Sequence, residues 1–272
     1  MILFSPAKIN LGLQILERRE DGFHNLRSVM YPIGLCDIIE IHQLSAGNVP
    51  VRFSQSGISI DGDEDNNLCM QAWKLMASEH ALPPVAIHLH KQIPLGAGLG
   101  GGSSNASTVL KGLNSLADSP ATHESLADMA ARLGSDCPFF LYDVPMLMEG
   151  RGQILSHLKP DFEPGYVVLL FPGIHISTAE AYAEVTPAIP DSDLRQLIES
   201  PVNQWKSGLV NDFEESAFKR HPLLRELKLG LYKAGAEFAL MSGSGSALFG
   251  IFKSAPELPG KIREYVIWKG WA

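Results

Sequence analysis

Cysteine is scarce in this chain, and its three copies, Cys36, Cys69 and Cys137, lie far apart. They form no C-x-x-C unit and leave an odd thiol, so neither a disulfide framework nor a zinc site is implied. A reducing, cytoplasmic compartment is expected. No basic start followed by an apolar core marks a signal peptide, and no apolar run of about 18 residues marks a membrane span. Positive charge is also in deficit: 22 Lys and Arg against 30 Asp and Glu leave a formal charge of −8. Such a surface argues against nonspecific nucleic-acid or anionic-membrane binding, and an anionic ligand has to find local donors. There is no internal repeat, long low-complexity tract or linker. What remains is 272 residues, 45% hydrophobic and 19% charged, enough for one large globular domain or two modest ones.

Glycine, by contrast, is concentrated. The stretch from Pro94 to Ser107 reads PLGAGLGGGSSNAS, with Gly96, Gly98, Gly100, Gly101 and Gly102 close together. Glycines carry an entropy cost in ordered segments, so a cluster signals positive φ or close approach of another group to the backbone. Before it, Val85, Ile87 and Leu89 alternate with Ala86, His88 and His90, the period of a half-buried strand. After it, Ala106, Val109, Leu110, Leu113, Leu116 and Ala117 follow helical spacing. Strand, glycine loop and helix point bare N–H groups and a helix dipole at an anion, so the stretch is read as a phosphate cradle. Ser103 and Ser104 stand where the helix begins, placed to cap it or to hold a phosphate or its metal. No lysine follows Gly102, which excludes the P-loop pattern. Gly96, Gly98 and Gly101 match the dinucleotide pattern, but a second helix rather than a strand follows. Leu126, Met129, Ala130 and Leu133 carry that helix and Gly134 stops it.

The other chemistry-bearing residues are dispersed. From Lys8 to Ile15 the pattern alternates strictly, which sets Lys8, Asn10, Gly12 and Gln14 on the non-core face, with Gly12 leaving that face open beside the Lys–Asn pair. Ser5 and Pro6 interrupt the apolar run before it. Phe23 and His24 adjoin a charged turn at residues 17–22. A polar loop over 61–67 precedes a helix from Leu68 to Met76. His88 and His90 share a strand face but have no third ligand nearby, so they are read as surface residues. Asp136 sits in GSDCPFF, just past Gly134. Tyr166 to Phe171 is a continuous apolar strand, Tyr182 lies in STAEAY, and Asp212 in VNDFE reads as a helix cap. Leu224, Leu227 and Leu231 mark a further helix. Phe238 to Met241, SGSGS and Ala247 to Phe252 read as a hairpin, with turn chemistry at Gly243 and Gly245.

The glycine stretch resembles the phosphate-binding motif of the GHMP kinases, the group that includes galactokinase, homoserine kinase, mevalonate kinase and phosphomevalonate kinase. Pro94, Gly98, Leu99, Ser103 and Ser104 fit their pattern, with extra glycines inserted. The narrower form GAGLGGGSS, together with SPAKINLGL, DGFHNL, GSDCPFF and SGSGS in this order, is similar to the branch that phosphorylates a cytidine-diphosphate-linked methylerythritol in the non-mevalonate isoprenoid pathway. Asn105 stands where that branch usually carries Asp, and Phe23 where it usually carries Tyr. The resemblance implies an α+β fold of two domains: residues 1–152, like ribosomal protein S5 domain 2, and residues 153–272, ferredoxin-like. It implies ATP and Mg²⁺, with no metal ligands assigned among the residues. It makes Lys8 and Asp136 catalytic, with Asp136 accepting or orienting the proton of the attacking hydroxyl. It assigns ATP to Asn67, near the adenine, and to Pro94, Gly96, Gly98, Leu99, Gly100, Gly101, Gly102, Ser103 and Ser104. It assigns the substrate to Asn10, Phe23, His24 and Tyr182, the last opposite His24 across a cytosine. The partner expected is a small nucleotide-linked alcohol, not a nucleic acid or membrane, for a monomer or weak homodimer. Two rivals differ: another small-alcohol kinase would lack the Phe23–His24 and Tyr182 set, and a non-catalytic nucleotide sensor could dispense with Lys8 or Asp136.

Overall fold

A computed structural model of the protein describes residues 1–45, 49–60, 62–158, 165–190 and 192–272. In chain order the strands and helices are β1 (Ile2–Arg18), β2 (His24–Gln43), β3 (Val51–Gly57), α1 (Leu68–Glu79), β4 (Val85–Lys91), α2 (Gly101–Asn114), α3 (His123–Leu133), β5 (Met146–Gly150) and β6 (Ile154–His157). They continue with β7 (Tyr166–Leu170), α4 (Thr178–Ala183), α5 (Leu194–Ile198), α6 (Glu214–Arg220), α7 (Pro222–Lys233), β8 (Phe238–Met241), β9 (Leu248–Phe252), α8 (Gly260–Arg263) and β10 (Val266–Trp271). Contacts divide the chain into two compact units. One gathers Met1–Ala7, Leu35–Leu95 and Gly100–Asp143; the other gathers Lys8–Gly34, Gly96–Leu99 and Val144–Ala272. The long strands β1 and β2 and the glycine stretch thus supply residues to both units, and residues 152 and 153 both fall in the second. Asp61, at the start of the polar loop, lies outside the described residues. No helix among the described residues is long and apolar enough to cross a membrane.

In the first unit β4 alternates as its sequence requires, with Val85, Ile87 and Leu89 buried. It runs parallel to β3 and antiparallel to β2, where Ile38 to Gln43 face His90 to Val85. Helices α1, α2 and α3 cover the apolar face. Their Met76, Val109, Leu110, Leu113 and Met129 join Ile39, Ile41 and the β4 residues in one core. Each such side chain contributes about 1.5–3 kcal/mol when fully buried. The Asn67 side chain caps α1 through the Cys69 N–H at 2.9 Å, and Thr122 caps α3. On the opposite face of β4, Ser54 and Ser56 bond His88, and Ser56 also bonds His90.

In the second unit residues 26–30 of β2 pair antiparallel with β5, and β5 pairs with β6. A second sheet, in the order β10–β7–β9–β8, is antiparallel throughout. Val167 to Leu170 of β7 are fully buried, which explains the unbroken apolar run, and α7 contributes Leu224, Leu227 and Leu231 to the core. Residues 210–212 lie along β1: the Leu13 N–H donates to the Val210 carbonyl at 2.8 Å, and the Asp212 N–H to the Leu13 carbonyl at 3.0 Å.

Three local expectations are corrected. Pro6 does not interrupt β1, which runs through it; among the described strands β1 is laddered to β2, residues 210–212 adjoin it further along at Leu13, and an edge position tolerates a missing donor. Asp212 does not cap α6. Its carboxylate accepts the Ile15 N–H at 2.7 Å, and burial raises its pKa above the usual carboxylate range. The face of β1 that carries Lys8, Asn10 and Gln14 is not open, since all three are buried, and a Cβ on Gly12 would meet Leu194 at 2.7 Å.

Candidate active site

The first unit holds the helical end of the glycine stretch. Gly100, at φ 69°, is the N-cap of α2 and makes no side-chain capping bond. The first-turn N–H groups of a fourteen-residue helix therefore point outward without a side-chain partner at that cap, the setting an anion requires. The helix starts at Gly101, two residues earlier than expected, so Ser103 and Ser104 lie within its first turns and do not cap it. Ser103 is half-exposed and its hydroxyl bonds the Cys137 thiol. Ser104 is fully buried, with its Oγ 2.7 Å from that of Ser5. Gly101 and Gly102 are glycine for packing inside the fold: a Cβ on Gly101 would meet Ile93 and the Lys91 ammonium at 2.9 Å, and one on Gly102 would meet Leu68 at 3.2 Å.

Beneath this turn lies a buried polar cluster. Asp37 pairs with Lys91, and its other oxygen accepts the N–H groups of Gln92 and Ile93 at 2.7 and 2.8 Å. Burial lowers the Lys91 pKa, and the Asp37 carboxylate opposes that. The Asn105 amide donates to Asp37 at 2.8 Å and to Ser5 at 3.0 Å. A carboxylate at 105 could donate to neither and would add a second negative charge against Asp37, which gives Asn105 its physical reason in this chain.

Asp136 is half-buried at the head of a short turn, Cys137–Leu141. That turn is tied to α2: the Ser107 hydroxyl donates to the Cys137 carbonyl at 2.7 Å, and Ser103 bonds its thiol. The structure therefore sets Asp136 beside the first turns of α2. Asn67 lines a cavity of about 310 Å³ with Phe53, Gln55, Ile60, Gly62, Asp63, Glu64 and Asn66. Pro94 is half-buried at the entry to the glycine stretch.

The second unit holds the other end of that stretch. Gly98 has φ 77°, and a Cβ on it would fall 2.0 Å from the Ser242 carbonyl oxygen. Only glycine fits, because the β8–β9 loop lies directly on the backbone. The Ala247 N–H donates to the Ala97 carbonyl at 3.1 Å, and the Ser242 hydroxyl to the Gly98 carbonyl at 2.8 Å. A Cβ on Gly96 would likewise meet the His175 ring at 2.6 Å. Leu99 is buried, and its carbonyl receives the Lys8 N–H at 2.9 Å. The Lys8 ammonium donates to the Gly98 carbonyl at 3.1 Å and to Asn10 Oδ1 at 2.5 Å. Asn10 in turn donates to Ser28 Oγ at 2.8 Å.

His24 and Tyr182 do meet, though in direct contact: their rings stack with centroids 5.0 Å apart and planes 27° from parallel. Carbon contacts near 3.5 Å mean that a base between two rings needs about 7 Å, so the pair must part by roughly 2 Å to admit one. Phe213 backs Tyr182 edge-on at 4.9 Å. Burial, with the Arg18 charge nearby, lowers the His24 pKa from 6.5, which favours the neutral imidazole. Phe23 is exposed and carries the Arg151 guanidinium over its ring at 4.9 Å.

Residues 67–143 match the N-terminal domain of the GHMP kinases and residues 187–265 match the C-terminal one. The chain belongs to the GHMP kinases. A 4-diphosphocytidyl-2-C-methyl-D-erythritol kinase of Bacteroides fragilis is 45% identical over 252 residues, which is 93% of this chain and 92% of that one. One from Parabacteroides distasonis is 39% identical over 272 residues, 99% of each chain. The solved structure of a 4-(cytidine 5'-diphospho)-2C-methyl-D-erythritol kinase superposes with a TM-score of 0.82 at 33% identity, covering 100% of this chain and 98% of the other. A homoserine kinase from Cytophaga hutchinsonii shares the fold, with a TM-score of 0.70 at 17% identity, over 93% of this chain and 85% of its own. The α+β class read from the sequence holds, and this GHMP kinase is an ATP-dependent small-molecule kinase.

Sequence reasoning missed three residues of this GHMP kinase. Ser28 and Ser242 are ordinary serines in β2 and in the β8–β9 loop. Asn211, inside VNDFE, donates to the Met241 and Gly243 carbonyls at 2.7 and 2.8 Å and accepts the Phe213 N–H at 3.0 Å. It ties the loop over Gly98 to the ring behind Tyr182. In the sequence Asn211 stands beside the ionisable Asp212, and nothing in its residue type marks it out.

Proposed function

We propose that this kinase transfers the γ-phosphoryl group of ATP to the 2-hydroxyl of 4-diphosphocytidyl-2-C-methyl-D-erythritol, in the non-mevalonate route to isoprenoid precursors. The observation that carries the reading is the seat of Lys8: a buried ammonium held by a carbonyl of the glycine stretch itself. Phosphoryl transfer asks the protein for positioning and charge stabilisation more than for covalent chemistry. In this reading the N–H groups at the start of α2 and the Ser103 hydroxyl receive the ATP phosphates, and the cavity beside Asn67 takes the adenine. Asp136 orients the attacking hydroxyl and takes its proton as the new P–O bond forms and ADP leaves. Lys8 steadies the negative charge on the oxygens. Asn10 and the His24–Tyr182 stack hold the nucleotide-linked alcohol. Among the described residues no three His, Cys, Asp or Glu side chains are grouped to hold a metal ion. Mg²⁺ is expected to arrive with the ATP phosphates, and when bound it would neutralise their charge. The two family matches fall on either side of residue 152, which supports a functional division there. All three cysteines are free, as a reducing compartment would keep them, and the reading places the enzyme in the cytoplasm. The deciding experiment is ADP release with a panel of alcohols: the cytidyl substrate, its uridyl analogue, mevalonate and homoserine. Turnover with the cytidyl substrate alone supports the reading; equal use of the uridyl analogue or preference for a nucleotide-free alcohol refutes it.

A further inference from the structure

We infer that Ser28 is a positioning residue for Lys8, acting through the Asn10 amide. The inference rests on the proposed role of Lys8 and extends it. The argument is one of donors and acceptors. Ser28 is fully buried in β2, and its hydroxyl donates to the Gly12 carbonyl at 2.7 Å. A hydroxyl has one proton, and a carbonyl can only accept. Ser28 Oγ therefore has only acceptor capacity left for Asn10, 2.8 Å away, and it must face the NH₂ end of that amide. The Oδ1 end is then turned to the Lys8 ammonium, which can only donate, at 2.5 Å. Both ends of the chain demand the same amide orientation. With Ser28 present, the Asn10 amide is held at both ends and presents an acceptor to Lys8; without it, the buried NH₂ group loses its acceptor and only the donors on the Oδ1 side still hold the amide in place. The Gly98 carbonyl, which also accepts from Lys8, receives the Ser242 hydroxyl as well, so both of its lone pairs are engaged. Ser28 itself touches neither ATP nor the alcohol in this reading, so its loss should spare ATP binding and act through Asn10 on turnover and on the alcohol that Asn10 holds.

Thr and Val at position 28 have the same shape and differ only in the hydroxyl. With the whole enzyme, kcat and the KM for ATP and for the cytidyl substrate are measured for S28T, S28V, K8A and the double variant K8A/S28V, with circular dichroism as the check on folding. S28V is expected to lower kcat about 10- to 100-fold, the scale of a misplaced reacting group, with the KM for ATP within about threefold of wild type and the KM for the cytidyl substrate raised. S28T is expected to recover most of that loss. In the K8A background the S28V change should cost less than about twofold, because groups acting as a unit are not additive. Equal kcat for S28T and S28V, or a full S28V loss persisting in K8A, overturns the inference while leaving Lys8 its role. Near-normal turnover of folded K8A overturns the Lys8 reading and this inference together. If S28V does not fold, S28A replaces it, since it loses the hydroxyl without added volume.

Discussion

Replacing Gly98 by alanine tests whether the glycine stretch is held by the β8–β9 loop. Two costs add. A left-handed conformation costs a non-glycine residue about 1–2 kcal/mol. The new Cβ would also fall 2.0 Å from the Ser242 carbonyl oxygen and 2.9 Å from its carbon, both backbone atoms that no rotamer change can move. Overpacking of this kind costs about 1–3 kcal/mol. Gly173 supplies the control, with φ 72° and nothing within 4 Å of its Cβ, so Gly173→Ala carries the first cost alone. At about 2–4 °C per kcal/mol for a chain of this size, Gly98→Ala should melt roughly 2–12 °C below Gly173→Ala in a thermal scan. Turnover should separate the two further. The Gly98 carbonyl receives both Lys8 Nζ and Ser242 Oγ, so a loop displaced by about 1 Å moves the seat of Lys8 and should lower kcat about 100-fold. Gly173→Ala should leave kcat near wild type. Equal melting temperatures with unimpaired turnover in Gly98→Ala would refute the claim that this contact fixes the loop.

Other outcomes follow from the same geometry. Lys8→Ala and Asp136→Asn should each lower kcat by about 10²–10⁴ in ADP-release assays while nucleotide binding changes far less; a folded variant with normal turnover removes that residue from the mechanism. Tyr182→Ala should weaken the cytidyl substrate by about 1–3 kcal/mol, the worth of one stacked base, with the KM for ATP unchanged. Folding lowers the His24 pKa, so the folded protein binds fewer protons there than the unfolded chain. Its contribution is complete above the ordinary value of 6.5 and is lost as the pH falls below it; KM for the cytidyl substrate should rise on the acid side, and His24→Gln should flatten that limb. Burial pushes the thiols of Cys69 up to about 12 and Cys137 up to about 11, and raises that of half-buried Cys36. At pH 8 a disulfide reagent followed by absorbance should therefore find at most Cys36, slowly, in the native enzyme and all three after unfolding.

The elements that the sequence made legible were those in which a residue type is forced by its own stretch of backbone. The alternation of Val85, Ile87 and Leu89 needs only a sheet with one covered face. The cluster of glycines needed two explanations, and it has both: positive φ at Gly98 and Gly100, packing at Gly101 and Gly102. Both are local demands, so they show in the letters. The burial of Lys8 and Asn10 did not show, because what covers them comes from elsewhere in the chain. Gly98 is 90 residues from Lys8, and Ser242 is 144 from Gly98. An alternating strand looks the same whether its polar face meets water or another loop. Only a lysine held at 4% exposure distinguishes the cases.

The same distinction explains why the residues that brace the proposed site carry no mark in the sequence while those proposed to act in it do. Lys8, Asp136 and His24 stand out because ionisable groups in turns and on strands invite a chemical role. Ser28, Asn211 and Ser242 have commonplace side chains, and their importance lies wholly in how many bonds each satisfies at once. Asn211 uses both amide protons and its oxygen, and Ser28 uses its single proton and a lone pair. A buried polar group with every valence engaged is costly to replace, since each lost partner leaves another group unsatisfied, at about 1–3 kcal/mol apiece. Such saturation fixes orientation as well as stability. Once Ser28 has given its proton to Gly12, the Asn10 amide can face only one way, and the ammonium that the proposed chemistry needs is held where the glycine stretch can use it.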